Sequence, residues 1–152
     1  MLRDLEAGEI ELLLRSEVCA HLGCVLPDAR PYVVPISYAY DGRAFYSYSA
    51  DGTKLTAMRR HPLVCVQVDR IEDAANWSSV VAWGRFEQLA DQEAADALQL
   101  IVARLRTVAL VDRARVEAGQ PYVDRTARYG VVYRIGIEER SGRTSASDAD
   151  SV

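Results

Sequence analysis

Ser49, Thr53 and Lys54 fall within a six-residue stretch, Ser49-Ala50-Asp51-Gly52-Thr53-Lys54, that runs straight into Leu55-Thr56-Ala57-Met58-Arg59-Arg60. The second segment is long enough for a short helix, and Pro62 stops it. A helix start exposes backbone N–H groups and carries a partial positive charge. Two hydroxyls and an ammonium placed there are the parts of a phosphate-binding site. The same residues have a plainer use, with Thr53 as an N-cap and Lys54 as a solvated first-turn residue. The loop by itself leaves both open.

The segment before the loop must hold it. Pro31-Tyr32-Val33-Val34-Pro35-Ile36-Ser37-Tyr38-Ala39-Tyr40 is rich in β-branched and aromatic residues and reads as a strand. Asp41-Gly42 signals a two-residue hairpin, since both positions tolerate positive φ, and the chain returns through Phe45-Tyr46-Ser47-Tyr48-Ser49. Alternation puts Tyr32, Val34, Ile36, Tyr38 and Tyr40 on one face and the smaller Val33, Pro35, Ser37 and Ala39 on the other. A proline cannot donate to a ladder, so Pro35 marks an edge, a bulge or a place where a flat ligand approaches the backbone.

The remaining elements build a frame around this unit. Residues 4 to 15, acidic early with Arg15 late and carrying Leu5, Ile10 and Leu12-Leu13-Leu14, suit a short amphipathic helix. Val18 to Leu26 reads as a strand, as does Leu63 to Asp69 and the long run Trp77 to Leu89, where Gly84 suggests a bulge in a curling sheet. Asp91 opens the longest helix signal, with Leu98, Ile101, Val102, Leu105 and Val108 as its apolar stripe. Val111 to Arg128 is irregular and charged, Tyr129 to Glu138 reads as a last strand, and residues 141–152 read as a disordered tail after a domain spanning 1–140. The order is that of a small, mostly antiparallel β-barrel flanked by helices.

Composition narrows the class of function. A chain of 152 residues suits one domain, and a net charge of −4 offers no general attraction for nucleic acid or an anionic membrane. No apolar run is long enough to span a bilayer, and Met1-Leu2-Arg3-Asp4-Leu5-Glu6 lacks a signal-peptide pattern, so a cytoplasmic location is expected. Cys19, Cys24 and Cys65 are odd in number and sit in apolar stretches, which favours buried thiols over a disulfide or metal site. His21, among small and apolar neighbours, reads as structural. Dinucleotide, Walker, zinc-protease and nucleophile-elbow motifs are absent.

Gly23, Pro31-Tyr32-Val33-Val34-Pro35, Ser37-Tyr38, Asp41-Gly42, Tyr46, the Ser49-to-Leu55 stretch, Arg59, Pro62 with Val64-Cys65, and Ser79-Val80-Val81 with Gly84 form a pattern in order and spacing. From about Leu5 to Glu139 it resembles the pyridoxamine 5'-phosphate oxidase-like FMN-binding split barrels, particularly the branch of the nitroimidazole-resistance reductases. The resemblance implies a mainly β (α+β) fold, a six-stranded antiparallel split β-barrel with flanking helices, and a homodimer with FMN at the subunit interface. Carried over by position, Val33, Val34, Pro35, Ile36 and Ser37 lie along the isoalloxazine. Ser49, Thr53 and Lys54, with Leu55 beside them, hold the phosphate, and Trp77, Ser79 and Val80 reach the flavin from the adjoining strand.

Two departures from that family bear on chemistry. The nitroimidazole branch commonly carries a histidine two residues after the tyrosine corresponding to Tyr46, and this chain has Tyr48. Tyr48, whose phenol can donate a hydrogen bond, is the candidate catalytic residue; its alternative is an ordinary barrel aromatic. Pyridoxamine-phosphate oxidases proper favour a basic residue where Thr53 stands and carry a long C-terminal substrate segment that this chain lacks, so that oxidation is not expected here. The resemblance implies an FMN-dependent oxidoreductase, flavin reductase or nitroreductase-like, with a small, nitro-aromatic type of acceptor. Two other classes fit the same cleft: a non-catalytic flavin- or haem-binding split barrel, and a deazaflavin-dependent reductase.

Overall fold

The computed structural model describes residues 1–109 and 130–147. Their strands are β1 (Leu2–Asp4), β2 (Cys19–Val25), β3 (Pro31–Ser37), β4 (Ala39–Tyr40), β5 (Ala44–Ala50), β6 (Leu63–Ile71), β7 (Trp77–Gln88) and β8 (Gly130–Ser145). Three helices accompany them: α1 (Ala7–Ser16), α2 (Thr53–Arg60) and α3 (Asp91–Ala109). All strands join one antiparallel sheet in the order β3-β2-β6-β7-β8-β5-β4, with β1 added on β8. The sheet curls into a split barrel: the Ser47 hydroxyl of β5, next to the short β4 that ends the series, donates to the Ser37 carbonyl at the end of β3 at 2.7 Å. The two strands beyond the expected six are the short β1 and β4.

Hydrophobic alternation decides what faces inward. Leu22, Phe45, Val66, Val68, Val80 and Tyr133 are fully buried inside the curl, with Leu14 from α1 and Leu55 and Met58 from α2 packed against them. A second, smaller cluster forms where Ala97 and Ile101 of α3 cover Ala39 and Val132 from the outside. The expected alternation of the Pro31 strand holds: Tyr32, Val34 and Ile36 turn inward while Val33, Pro35 and Ser37 are exposed. β3 pairs only with β2, which makes it the edge strand that Pro35 allows. The bulge at Gly84 is also present, as a register shift between Trp83 and Gly84 against β8.

Several expectations are corrected. At the Asp41-Gly42 turn only Gly42 has a positive φ, 95°. Asp41 acts through its side chain, accepting from the Arg43 and Ala44 N–H groups and from the Tyr46 hydroxyl. Cys19 is exposed; Cys24 is buried and Cys65 half-buried, all three as free thiols. The largest difference is β8, which continues through residues 141–145 where a tail was expected. Polar residues continue the strand because both neighbours hold it: Trp77 and Leu2 flank Ser145 in register, and the buried Thr144 hydroxyl meets Ser78 Oγ at 2.9 Å. Gly142 lets the start of the chain and α1 approach, since a Cβ there would sit 2.8 Å from Leu5 Cδ1 and 3.1 Å from Ile10 Cγ1 of α1. The expectation for Val111 to Arg128, the Tyr129 start of the last strand, the side chain of Val108 and residues 148–152 lie outside the described residues.

The start of α1 carries a pH-dependent tie. Glu9 accepts from Arg3 at 2.7 and 2.9 Å and from the Glu6 N–H at 2.8 Å, linking β1 to the helix. The Arg3 hydrogen bond, followed by that of the Glu6 amide, lowers the Glu9 carboxyl from an ordinary 4.5 to about 2. A depressed carboxylate pKa contributes stability above the unfolded value and loses it as the folded group protonates. The tie is therefore complete above pH 4.5 and fades as pH falls toward 2. Carboxyl NMR titration should give Glu9 a midpoint well below 4.5; a midpoint at 4.5 would show that Arg3 does not hold it in solution.

Candidate functional site

The start of α2 has the properties of an open anion site. Its N-cap is Gly52, not Thr53, and no side chain caps the first turn, which also lacks any acidic residue. The first backbone bond of the helix runs from Thr56 N–H to the Gly52 carbonyl at 3.0 Å, leaving the N–H groups of Thr53, Lys54 and Leu55 ahead of it. Asp51, the one carboxylate in the loop, is drawn off by Arg59 at 2.8 Å, and Arg59 is itself held by Gln88 at 3.0 Å. The helix dipole at this end is thus uncompensated by acid.

Lys54 completes the arrangement. Its side chain is half-buried, α2 packs on β2, and among the described residues the ammonium has neither a hydrogen bond nor an ion pair. Burial pulls its pKa below the usual lysine value, the nearby Cys24 thiol acting in the opposite direction. Cys24 is in turn pushed up, by its own burial first and by Cys65 second. A partly desolvated cation without a counter-ion is a group that gains from binding an anion. The uncapped turn and this lysine fit a phosphate.

The other expected residues divide between the outer and inner surfaces of the sheet. Val33, Pro35 and Ser37 project outward from the open edge of β3, Val33 at 65% exposure. Val34 turns inward, and Ile36, Leu55 and Val80 are core residues that carry the backbone of the site instead of lining it with their side chains. Ser49 is half-buried, and its hydroxyl donates to the Ala50 carbonyl at 2.8 Å; Thr53 is exposed on the first turn of α2. Tyr48 is half-buried and packs against the cluster beneath α3.

Trp77 and Ser79 lie on the outer face of β7. The register sets rows across this face, with Val33, Gly23, Cys65 and Trp83 in one and Pro35, His21, Gln67 and Val81 in the next. No described helix covers it. Within one protomer β3 and β7 are three strand spacings apart, roughly 14 Å, so the face holds both groups of expected residues without bringing them together. The sequence reading did not single out Gln67, which joins these rows: its Nε2 donates to Asp69 Oδ2 at 2.8 Å and to Ser79 Oγ at 2.9 Å. A lone glutamine in an alternating strand gives no warning of this.

A groove of about 300 Å³ lies elsewhere, between α1, β4 and α3. Its polar groups serve the fold: Arg104 Nη2 donates to the carbonyls of Arg15, Ser16 and Glu17 at 3.0, 3.0 and 3.4 Å, and the Tyr38 hydroxyl donates to that of Leu14 at 2.8 Å. These are the orphan carbonyls at the end of α1, closed by side chains. Among the described residues no cluster of histidine, cysteine and carboxylate side chains could hold a metal ion, and no helix is long and apolar enough to cross a membrane.

Comparison with known proteins agrees with this fold. The family model described as pyridoxamine 5'-phosphate oxidase matches residues 6–144. A FAD-binding protein from Mesorhizobium loti is 31% identical, with a TM-score of 0.71 over 96% of this chain and 99% of that one. A candidate 5-nitroimidazole antibiotic resistance protein from Bacteroides thetaiotaomicron is 18% identical, with a TM-score of 0.70 over 95% of this chain and 87% of that one. The uncharacterized protein RA0666 of Rhizobium meliloti (strain 1021) is 40% identical over 87 residues, which span 57% of each protein. By the extent of the family match and the shared split-barrel architecture, the chain belongs to the pyridoxamine 5'-phosphate oxidase family.

Proposed function

We propose that the protein is a flavin-dependent oxidoreductase that binds FMN and works as a homodimer. The observation that carries this reading is the α2 start: an uncapped helix turn without acidic residues, beside a half-buried lysine that has no counter-ion among the described residues. The flavin phosphate sits there, and the ring lies along the open edge of β3, where Val33, Pro35 and Ser37 leave room beside a strand that proline keeps unpaired. The FAD-binding relative supports a flavin as the ligand class. When bound, the flavin supplies the hydride and electron transfer; the protein's part is to hold and orient it and to exclude water.

The dimer follows from the outer sheet face. One protomer separates Ser79 from β3, and a second copy set against the same uncovered face brings the β7 of one subunit to the β3 of the other. Exposed Val33 and Trp83 supply apolar surface for that contact. The acceptor class, a small nitro-aromatic compound, rests on the sequence resemblance to the nitroimidazole-resistance branch. A second reading, FAD in place of FMN, is favoured by the Mesorhizobium relative; the adenylate would then extend from the α2 site into solvent.

The absorbance spectrum of the purified protein, the mass of the ligand released from it, and light scattering test this together. We expect flavin bands, a released mass of FMN and a dimer at micromolar concentration. Release of FAD would select the second reading. A Soret band or a deazaflavin spectrum would replace the cofactor, and a monomer that binds flavin stoichiometrically would overturn the shared site.

A further inference from the structure

The outer face of the sheet carries a directed hydrogen-bond chain that the phosphate site does not use. His21 and Gln67 are cross-strand partners on β2 and β6, Asp69 and Ser79 are partners on β6 and β7, and Gln67 and Asp69 share a face two residues apart. A carboxylate only accepts, so the Gln67 group 2.8 Å from Asp69 Oδ2 must be the amide nitrogen. That nitrogen's second proton goes to Ser79 Oγ at 2.9 Å. The amide oxygen then faces His21 Nδ1 at 3.2 Å, which fixes the proton of His21 on that nitrogen. Every atom of the Gln67 amide is assigned.

The consequence falls on Ser79. Its oxygen accepts from Gln67, and its own proton finds no acceptor among the described residues, so the hydroxyl presents a donor at the half-buried outer face. The Asp69 carboxylate is on the cross-strand partner of Ser79, and without the Gln67 donor the serine would be released to turn its proton towards it. We propose that Gln67 is a positioning residue which, by donating to the Ser79 oxygen, turns the serine's own proton away from β6 and keeps Ser79 as a hydrogen-bond donor to the flavin, and so favours the reduced cofactor. This rests on the flavin reading above. The oxidised ring presents carbonyl oxygens and unprotonated nitrogens, and a donor facing one of them is strengthened when the ring gains electrons.

The test compares Gln67→Leu, Ser79→Ala and the double variant with the parent, measuring affinity for oxidised and reduced FMN and the midpoint potential of the bound flavin. Each single variant should weaken reduced relative to oxidised flavin by roughly 2- to 10-fold, the size of one neutral hydrogen bond, with a matching negative shift in potential. The double variant should lose no more than Ser79→Ala alone, because both changes remove the same donor. His21→Ala, which leaves Asp69 and Ser79 held, should change little. Far-UV circular dichroism reports folding for each. A silent Gln67→Leu, or additive losses, overturns the positioning role while leaving the flavin reading intact. A parent that binds no flavin overturns that reading and this inference with it. A Ser79→Ala variant that weakens the dimer without moving the potential would assign the donor to the partner subunit.

Discussion

Lys54→Ala is expected to weaken FMN binding by about 10- to 100-fold and to leave riboflavin binding unchanged. The phosphate is the one part of FMN that riboflavin lacks, and a charge-assisted contact to it contributes roughly 1.5–3 kcal/mol, with tenfold in affinity for each 1.4 kcal/mol. The magnitude belongs to the upper part of that range for a structural reason. Lys54 is partly desolvated and without a counter-ion among the described residues, so the cost of drying the cation is borne before the ligand arrives. The α2 N–H groups remain in the variant, which is why binding weakens instead of vanishing. Because burial lowers the lysine pKa, FMN affinity in the parent should begin to fall with rising pH below the ordinary lysine value of 10.5, as the free protein loses the charge that the phosphate requires. The variant should lack that limb. Parallel titrations with FMN and riboflavin decide the point: equal losses for both ligands would place Lys54 away from the phosphate.

Much of this frame is legible in the sequence because single residues constrain it. Pro35 pointed to an edge, a bulge or a ligand approach, and β3 is an edge strand; Gly84 suggested a bulge or bend, and the β7–β8 register breaks there. The helix after the loop was legible too, from the segment that Pro62 stops. What it concealed was the cap, since Thr53 and Gly52 are both acceptable there and only geometry shows that no side chain closes the turn.

The errors share a cause. Residues 141–145 are polar and read as a tail, yet β7 on one side and β1 on the other satisfy their backbone, and that satisfaction is invisible in the strand's own composition. Ile36, Leu55 and Val80 were expected at the cofactor because the family motif spans them, but strand alternation sends Ile36 and Val80 to the core and Leu55 lies on the buried face of α2. A motif names a stretch of backbone; the pleat decides which members of it can touch a ligand.

Gly84→Ala is expected to destabilise the protein by about 3 kcal/mol, the upper end of the usual cost of forcing atoms into packed space. A Cβ at this position would lie 2.2 Å from the Gly136 carbonyl oxygen and 2.9 Å from both its carbon and Ile135 Cγ2. Two of those atoms are backbone of β8, so no change of rotamer relieves the contact, and the strands must separate where the bulge turns the sheet. For a chain of this size the change lowers the melting temperature by roughly 6–12 °C, at about 2–4 °C per kcal/mol. Gly136→Ala is the matched control: its Cβ meets nothing within 4 Å, although it faces the same bulge across the ladder. The pair also bears on function, because residues of β7 before the bulge include Ser79 and Trp77, and a one-residue slip would turn Ser79 from the outer face into the core. Gly84→Ala should therefore weaken flavin binding along with the fold, whereas Gly136→Ala should preserve both. Equal melting temperatures for the two variants would show that β8 yields to the methyl group and that the bulge is not what fixes the face on which Ser79 stands.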